Sequence, residues 1–275
     1  MVEGETAQTV TLTDNITDVD GDSLTVVDGS IKGLTDGVTV DGNKLTIDPS
    51  SPAFDGLKES ETKEITVTYQ VTDGHGATVE QTATITVTGT NDAPKVGSII
   101  TEGVVEGETA QTVTLTDNIT DVDGDTLTVV DGSIKGLTDG VTVDGNTLTV
   151  DPSNSAFDGL KEGEIKEIKV TYQVTDGHGA TVEQTATITV TGTNDIPVVG
   201  EVITKGVFEG ETAQTVTLTD NITDVDGDTL TVVDGSIKGL TDGVTVKGNT
   251  LTVDPSNPAF DGLKEGESKE IKVTY

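Results

Sequence analysis

Three aspartates alternate through the five-residue turn Asp121-Val122-Asp123-Gly124-Asp125, with Asp117 four residues before it. Alternating carboxylates in a tight glycine-containing turn can converge on one hard cation, and calcium, which takes several oxygen ligands, is the natural candidate. The pattern is not an EF-hand. That loop places glycine sixth and a closing glutamate twelfth, whereas Gly124 falls fourth. The plainer alternative is a solvated acidic turn. The same turn recurs as Asp18, Asp20 and Asp22, and as Asp224, Asp226 and Asp228. A second acidic element is the segment Thr193-Asn194-Asp195-Ile196-Pro197, matched by Thr90-Asn91-Asp92-Ala93-Pro94. Asp92 lies 29 and 31 residues before Asp121 and Asp123, and Asp195 stands in the same relation to Asp224 and Asp226. Alone, that segment reads as a proline-terminated linker. Asp73 and Asp176 open two DGHG turns. One histidine per turn (His75, His178) with no cysteine makes a poor zinc site.

These elements recur because the chain repeats itself every 103 residues. Glu3, Glu106 and Glu209 open identical stretches, EGETAQTVTLTDNITDVDGD in the first copy. Residues 3–92 and 106–195 differ at eight positions, among them Lys44/Thr147 and Thr62/Ile165. Residues 106–172 and 209–275 differ at three: Asp144/Lys247, Ser155/Pro258 and Ile165/Ser268. A unit of this size is an ordinary domain. The expected organisation is 1–92, 93–195 and 196–275, the third copy lacking its final hairpin, as in a piece of a longer array. Three adjacent copies suit a spacer, which needs length, better than an enzyme.

Acidic residues number 49 against 15 basic, a net charge of −34. That excludes nucleic acid as a partner, since no basic patch can replace counterions. It also disfavours an anionic membrane surface, and no apolar run approaches the length of a spanning helix. The apolar fraction of 32% and the high charge point toward disorder. The strict alternation of apolar residues points the other way. The two agree if a cation neutralises the carboxylates on folding. Cysteine is absent, so an exported domain of this kind would need a metal rather than a disulfide as its staple.

In the second copy, Thr109–Thr116, Thr126–Val130, Gly140–Val143, Thr147–Val150, Lys166–Thr175 and Ala180–Thr191 read as strands. Asp117–Asp125 reads as a polar turn, Asp144-Gly145-Asn146 as a hairpin turn, and Ala156–Leu160 as a turn or half-helix. Valine, isoleucine and threonine dominate and no helical period occurs. The fold expected is all-β: tandem antiparallel Greek-key β-sandwiches of immunoglobulin type without the Cys–Trp–Cys pin, in a linear rod. Phe157 and Tyr172 are expected in the core.

An Asn-Asp-x-Pro linker, a glutamate in the domain before it, a DxD in the domain after it and a late Asp-Gly hairpin resemble tandem cadherin-like domains. The resemblance is closer to the cadherin-like or immunoglobulin-like (VCBS-like) extender repeats of very large bacterial RTX adhesins secreted by a type I system. Those carry VDGD turns and NDAP linkers. The resemblance covers the whole chain. It implies calcium at each junction, stiffening it. The first junction would use Asn91 through its carbonyl, Asp92, Asp121, Asp123 and Asp176. Glu59 or Glu61 would be the glutamate of the preceding domain, and Glu3 or Glu5 its strand-start acid. The second would use Asn194, Asp195, Asp224, Asp226 and Glu162 or Glu164. Asp125 and its counterpart Asp228 are open to the junction or to a site within their own domain. Asp18, Asp20, Asp22 and Asp73 are the same positions in the first copy. Gly89 and Gly192 stand where the animal cadherin pattern has an acid, which implies fewer ions per junction.

The function this implies is a structural extender, rigidified by calcium, that holds a terminal adhesive domain away from a bacterial cell surface. Its partners would be neighbouring repeats, in a monomeric extracellular chain with no direct membrane insertion. The alternative is a repeated glycan- or protein-binding module mediating cell–cell or biofilm contacts. No GxSxG, HExxH or phosphate-cradling loop supports an enzyme.

Overall fold

The computed structural model describes all 275 residues, Met1–Tyr275. The chain is all-β, and no helix is long and apolar enough to cross a membrane. It divides into two compact units: Met1–Glu102, Thr112–Thr149 and Ile168–Ile188 form one, and Gly103–Gln111, Val150–Glu167 and Thr189–Tyr275 the other.

The first repeat shows how the sequence makes the fold. Its strands are β1 (Gln8–Thr11), β2 (Thr25–Val26), β3 (Val38–Asp41), β4 (Lys44–Ile47), β5 (Thr62–Thr72) and β6 (Thr78–Thr88). They form two antiparallel sheets, ordered β1-β4-β3 and β2-β5-β6. Period-two alternation decides which side chains face inward. Along β5, Ile65, Val67, Tyr69 and Val71 are buried, while Glu64, Thr66 and Gln70 face water. Leu12, Val38, Leu45, Ile47, Phe54, Ile85 and Val87 complete the core.

Two polar contacts fix the sandwich. The Tyr69 hydroxyl donates to the Leu12 carbonyl at 2.7 Å, and Tyr172 and Tyr275 repeat this bond to Leu115 and Leu218. Asn43, at the β3–β4 turn, accepts from the Val26 N–H and donates to the Leu24 carbonyl, joining one sheet to the other. Asn146 and Asn249 do the same in the later copies.

The long strands of the second copy run Ile165–Thr175 and Thr181–Thr191, close to the spans read from sequence. Two of the short ones contract, to Gln111–Thr114 and Thr128–Val129, and a third shifts by one residue to Val141–Asp144. Residues 156–160 form turns, not a half-helix.

The linker departs further from expectation. Lys95–Val96 is a strand, as is Ile100–Val105, which edges a four-stranded sheet with Thr128–Val129, Ile165–Thr175 and Thr181–Thr191. Within the polar turn, Ile119–Thr120 pairs antiparallel with Lys95–Val96. Of the two apolar residues of that run, Ile119 is buried and Val122 is exposed, and the burial of Ile119 offsets part of the cost of ordering a polar segment. Asn118 before it takes the left-handed conformation that asparagine tolerates (φ 61°), and its carbonyl accepts the Gly97 N–H at 2.7 Å. Val198–Val199 and Ile222–Thr223 repeat the pairing.

Replacing Tyr69 with Phe leaves the buried Leu12 carbonyl without its donor. The expected cost is about 1–3 kcal/mol, read as a lower denaturant midpoint at unchanged slope. An unchanged midpoint would show that the hydroxyl contributes nothing.

Candidate metal centre

Three consecutive linker residues are each held by a carboxylate in the first compact unit. The Thr90 N–H donates to Glu3 Oε2 (3.0 Å), Asn91 Nδ2 to Asp176 Oδ2 (2.8 Å), and the Asp92 N–H to Asp123 Oδ2 (2.8 Å). Glu3 belongs to the repeat before the linker, and Asp123 and Asp176 to the repeat after it. The linker is thus gripped from both sides.

The turn around Asp123 supplies more oxygens. Gly124 takes φ 70°, which lets the chain double back. One carboxylate oxygen from each of Asp121, Asp123 and Asp125 lies within 4.8 Å of the others. That spread fits oxygens ~2.3–2.6 Å from a common calcium ion. Glu3, Asp123 and Asp176 are 8%, 5% and 3% exposed. Glu3 Oε1, Asn91 Oδ1, Asp121 Oδ2 and Asp123 Oδ1 are buried without a hydrogen-bond partner. An unmatched buried polar oxygen is costly, and the unmatched oxygens of Asp121 and Asp123, two acids of the clustered turn, would suit a hard cation. The donor set is all oxygen, which suits calcium or magnesium and not a soft metal.

The second unit repeats the arrangement. The Thr193 N–H donates to Glu106 Oε2 and the Asp195 N–H to Asp226 Oδ2, both at 2.8 Å. Glu106 Oε1 and Asp226 Oδ1 are buried and unpartnered, and Asp224, Asp226 and Asp228 cluster as their counterparts do. Asn194 instead donates to the Asp195 carbonyl.

The sequence matches the bacterial Ig domain over residues 1–88 and again over 91–191. The chain belongs to this family. No curated protein matches it in sequence. Among solved structures, this bacterial Ig chain is similar to mouse cadherin-23 EC22-24, with a TM-score of 0.51 and 16% identity, covering 92% of this chain and 83% of that one. It is also similar to protocadherin gamma B2 extracellular cadherin domains 1-5 (TM-score 0.49, 14% identity, 92% and 51% covered). An endo-fucoidan hydrolase of glycoside hydrolase family 107 scores 0.30 at 16% identity. The chain covers 34% of that enzyme, with 85% of itself matched, and so low a score carries no argument about activity. The cadherin-23 likeness shows a shared fold.

Of the residues read from sequence, the bacterial Ig fold brings Asn91, Asp92, Asp121, Asp123 and Asp176 together, and likewise Asp195, Asp224 and Asp226. Asp125 and Asp228 bond to lysines, Lys58 Nζ at 2.6 Å and Lys161 Nζ at 2.7 Å. Glu61 and Glu164 accept from the Lys58 and Lys161 N–H groups within their own turns. Glu59 is exposed, 3.5 Å from His178 Nδ1, and Glu162 is exposed. Glu3 is the strand-start acid that reaches the linker, while Glu5 accepts from the Val2 N–H. In the first copy Asp18, Asp22 and Asp73 cluster, with Asp20 outside the group.

Asp55 and Asp158, absent from the sequence reading, stand close enough for their charge to act on Glu3, Asp92 and Glu106. Each follows a buried phenylalanine, Phe54 or Phe157, in the repeated AFDGL segment. That adjacency was the available signal. Gly89 explains why an acid is missing from the linker approach. A Cβ there would sit 2.3 and 2.4 Å from the Leu57 and Lys58 carbonyl oxygens, and Gly192 is equally confined.

Burial raises the Glu3 carboxyl above its ordinary range. The Thr90 N–H offsets part of this, and the charges of Asp92, Asp123 and Asp55 add to it. Burial likewise raises Asp92, with Asp123 and Asp55 adding, and Glu106, with Asp195 and Asp226 adding. At Asp176 burial acts upward too, but the bonds from Asn91 and the His178 and Ala180 N–H groups outweigh it and hold the carboxyl low.

A raised folded pKa on an acid means that the ionised form destabilises the fold, and this cost is relieved as pH falls through the raised value. In excess chelator the melting temperature is therefore expected to rise as pH drops from neutrality toward the ordinary carboxylate range. It should fall again below the ordinary carboxylate range, where Asp176 loses its contribution. A chelated melt that only falls on acidification would contradict the burial of these charges.

Proposed function

We propose that this bacterial Ig chain is an extender segment of a secreted bacterial adhesin, whose repeat junctions are closed by calcium at the cell surface. The observation that carries this reading is the set of buried, unmatched oxygens on Glu3, Asn91, Asp121 and Asp123, repeated on Glu106 and Asp226. No such arrangement is needed for a core, and it is costly without a cation. Asp92, Asp121, Asp123 and Glu3 would hold the ion, with Asn91 through its side-chain carbonyl oxygen. Bound there, calcium supplies charge neutralisation and a set of oxygen–cation bonds.

The rest follows from the chain itself. The carboxylates orient the linker by accepting the Thr90 and Asp92 N–H groups. The Ile119–Thr120 pairing fixes the direction in which the linker leaves. With the acids neutralised, the linker has one arrangement instead of many. Extracellular modules bind calcium at ~10⁻⁴–10⁻³ M, so the junctions would stay loose inside a cell and order outside. At free calcium ten times Kd, each site stabilises by about 1.4 kcal/mol.

A direct glycan-binding role would need a repeated aromatic platform. The most exposed aromatic residue is Phe208 at 78%, and Val2 and Val105 occupy its place in the other copies. A structural role fits the repetition better.

Calcium at ~1 mM is expected to raise the melting temperature followed by circular dichroism, relative to excess chelator. An unchanged melt would sink the proposal. Asp123→Asn and Asp226→Asn remove one charge each where the linker docks. In calcium, these variants should broaden the distance distribution measured by small-angle scattering, and unchanged dimensions would count against the stiffening role.

A further inference from the structure

The carboxylates at each junction fall into two sets, and only one lacks a cation. Glu3 Oε1, Asp121 Oδ2 and Asp123 Oδ1 are buried without partners. Asp125, the last acid of the same turn, is 10% exposed at its side chain and accepts from Lys58 Nζ at 2.6 Å. The second junction is divided in the same way. Glu106 Oε1 and Asp226 Oδ1 are unpartnered, while Asp228 accepts from Lys161 Nζ at 2.7 Å. In each case the lysine comes from the repeat before the linker and the aspartate from the repeat after it, 67 residues on.

The lysine is set by the turn that also sets the linker. The Lys58 N–H donates to Glu61 Oε2, and the Lys58 and Leu57 carbonyls close around Gly89, next to Thr90. The same contacts recur at Lys161, Glu164, Leu160 and Gly192. The ammonium therefore emerges at a fixed place beside the acidic turn. Asp123 and Asp121 act on it electrostatically as well as Asp125, so it lies within the field of the whole cluster. Its chemistry is that of a compact, strongly hydrated point charge with three donors, which suits an outer cation position at the edge of water.

Resting on the calcium reading above, we propose that Lys58 and Lys161 act as resident cations, each filling the outer position of its junction through Asp125 or Asp228. Divalent ions are thereby confined to the inner oxygens. Two consequences follow. The ammonium repels a second divalent ion from Asp125, so the number of ions per junction is set by a side chain of the preceding repeat. The ammonium also keeps one bond across the linker when calcium is withdrawn, so an emptied junction stays tethered.

The test is native mass spectrometry of the chain in calcium, comparing the unaltered protein with Lys58→Met, Lys161→Met, the double variant and Lys58→Arg. Methionine keeps the length of the stem without the charge. Both lysine side chains are about half exposed, and circular dichroism checks that each variant folds. Each Lys→Met change is expected to admit one additional ion, the double variant two, and Lys58→Arg none. If the unaltered chain binds calcium and the methionine variants bind the same number or fewer, the resident-cation proposal falls while the calcium reading stands. If no form binds calcium, both fall.

Discussion

Each junction of this chain is organised around carboxylates that the fold buries before it neutralises them. Glu3 and Asp123 spend one oxygen each on a linker N–H and leave the other unmatched. The two functions are inseparable, because an acid placed to hold a backbone amide in a buried position must also desolvate its charge. With a net charge of −34 and an apolar fraction of 32%, the chain has little hydrophobic surplus to absorb that cost. The sandwich core supplies the frame, and on the proposed reading a cation at the junction would complete it.

The segment from Phe54 to Glu61 connects core and junction. Phe54 is fully buried, and Asp55 beside it acts on Glu3 and Asp92. The carbonyls of Leu57 and Lys58 leave no room for a side chain at Gly89. Lys58 then crosses to Asp125. Within eight residues the chain passes from the dry interior to a charged contact with the next repeat. An exposed ion pair of that kind contributes little stability by itself, about 0–1 kcal/mol. Its weight is in geometry, since it fixes which acids remain free.

Much of this was legible in the sequence. Period-two alternation revealed the long hairpin strands. The resemblance to cadherin-like repeats implied that the linker and the DVDGD turn would meet, and the Asp92 N–H does donate to Asp123. What escaped was set by tertiary packing. Nothing local distinguishes Glu3 from Glu5 or Glu59 from Glu61, and only the fold shows that Glu3 turns inward while Glu61 caps its own turn. Asp55 carried no signal of its own, and it is the fold that brings its charge to bear on Glu3 and Asp92. The strand Ile119–Thr120 was hidden in a run read as a polar turn, and its partner, Lys95–Val96, is a two-residue strand that carries no pattern of its own. Gly89 looked like a lost ligand, whereas its packing shows that a side chain never had room there.

The division of each site between two repeats has a thermodynamic consequence. Glu3 and Asp55 come from one repeat, Asp121, Asp123 and Asp176 from the next, and Asn91 and Asp92 from the linker. The acids and amides around the linker thus come from both neighbouring repeats and from the linker itself. On the proposed reading, a cation held by the linker as well as by both repeats would bind more tightly when the linker is ordered, and linkage requires the converse. Ordering the linker and loading the site are one equilibrium seen from two sides. In an array of near-identical units, stability then divides into terms for each repeat and terms for each junction. On the proposed reading, the junction term is the one that would respond to the surroundings. The repetition of Glu3, Asn91, Asp92 and Asp123 as Glu106, Asn194, Asp195 and Asp226 is what a chain needs if every joint is to respond at the same cation concentration.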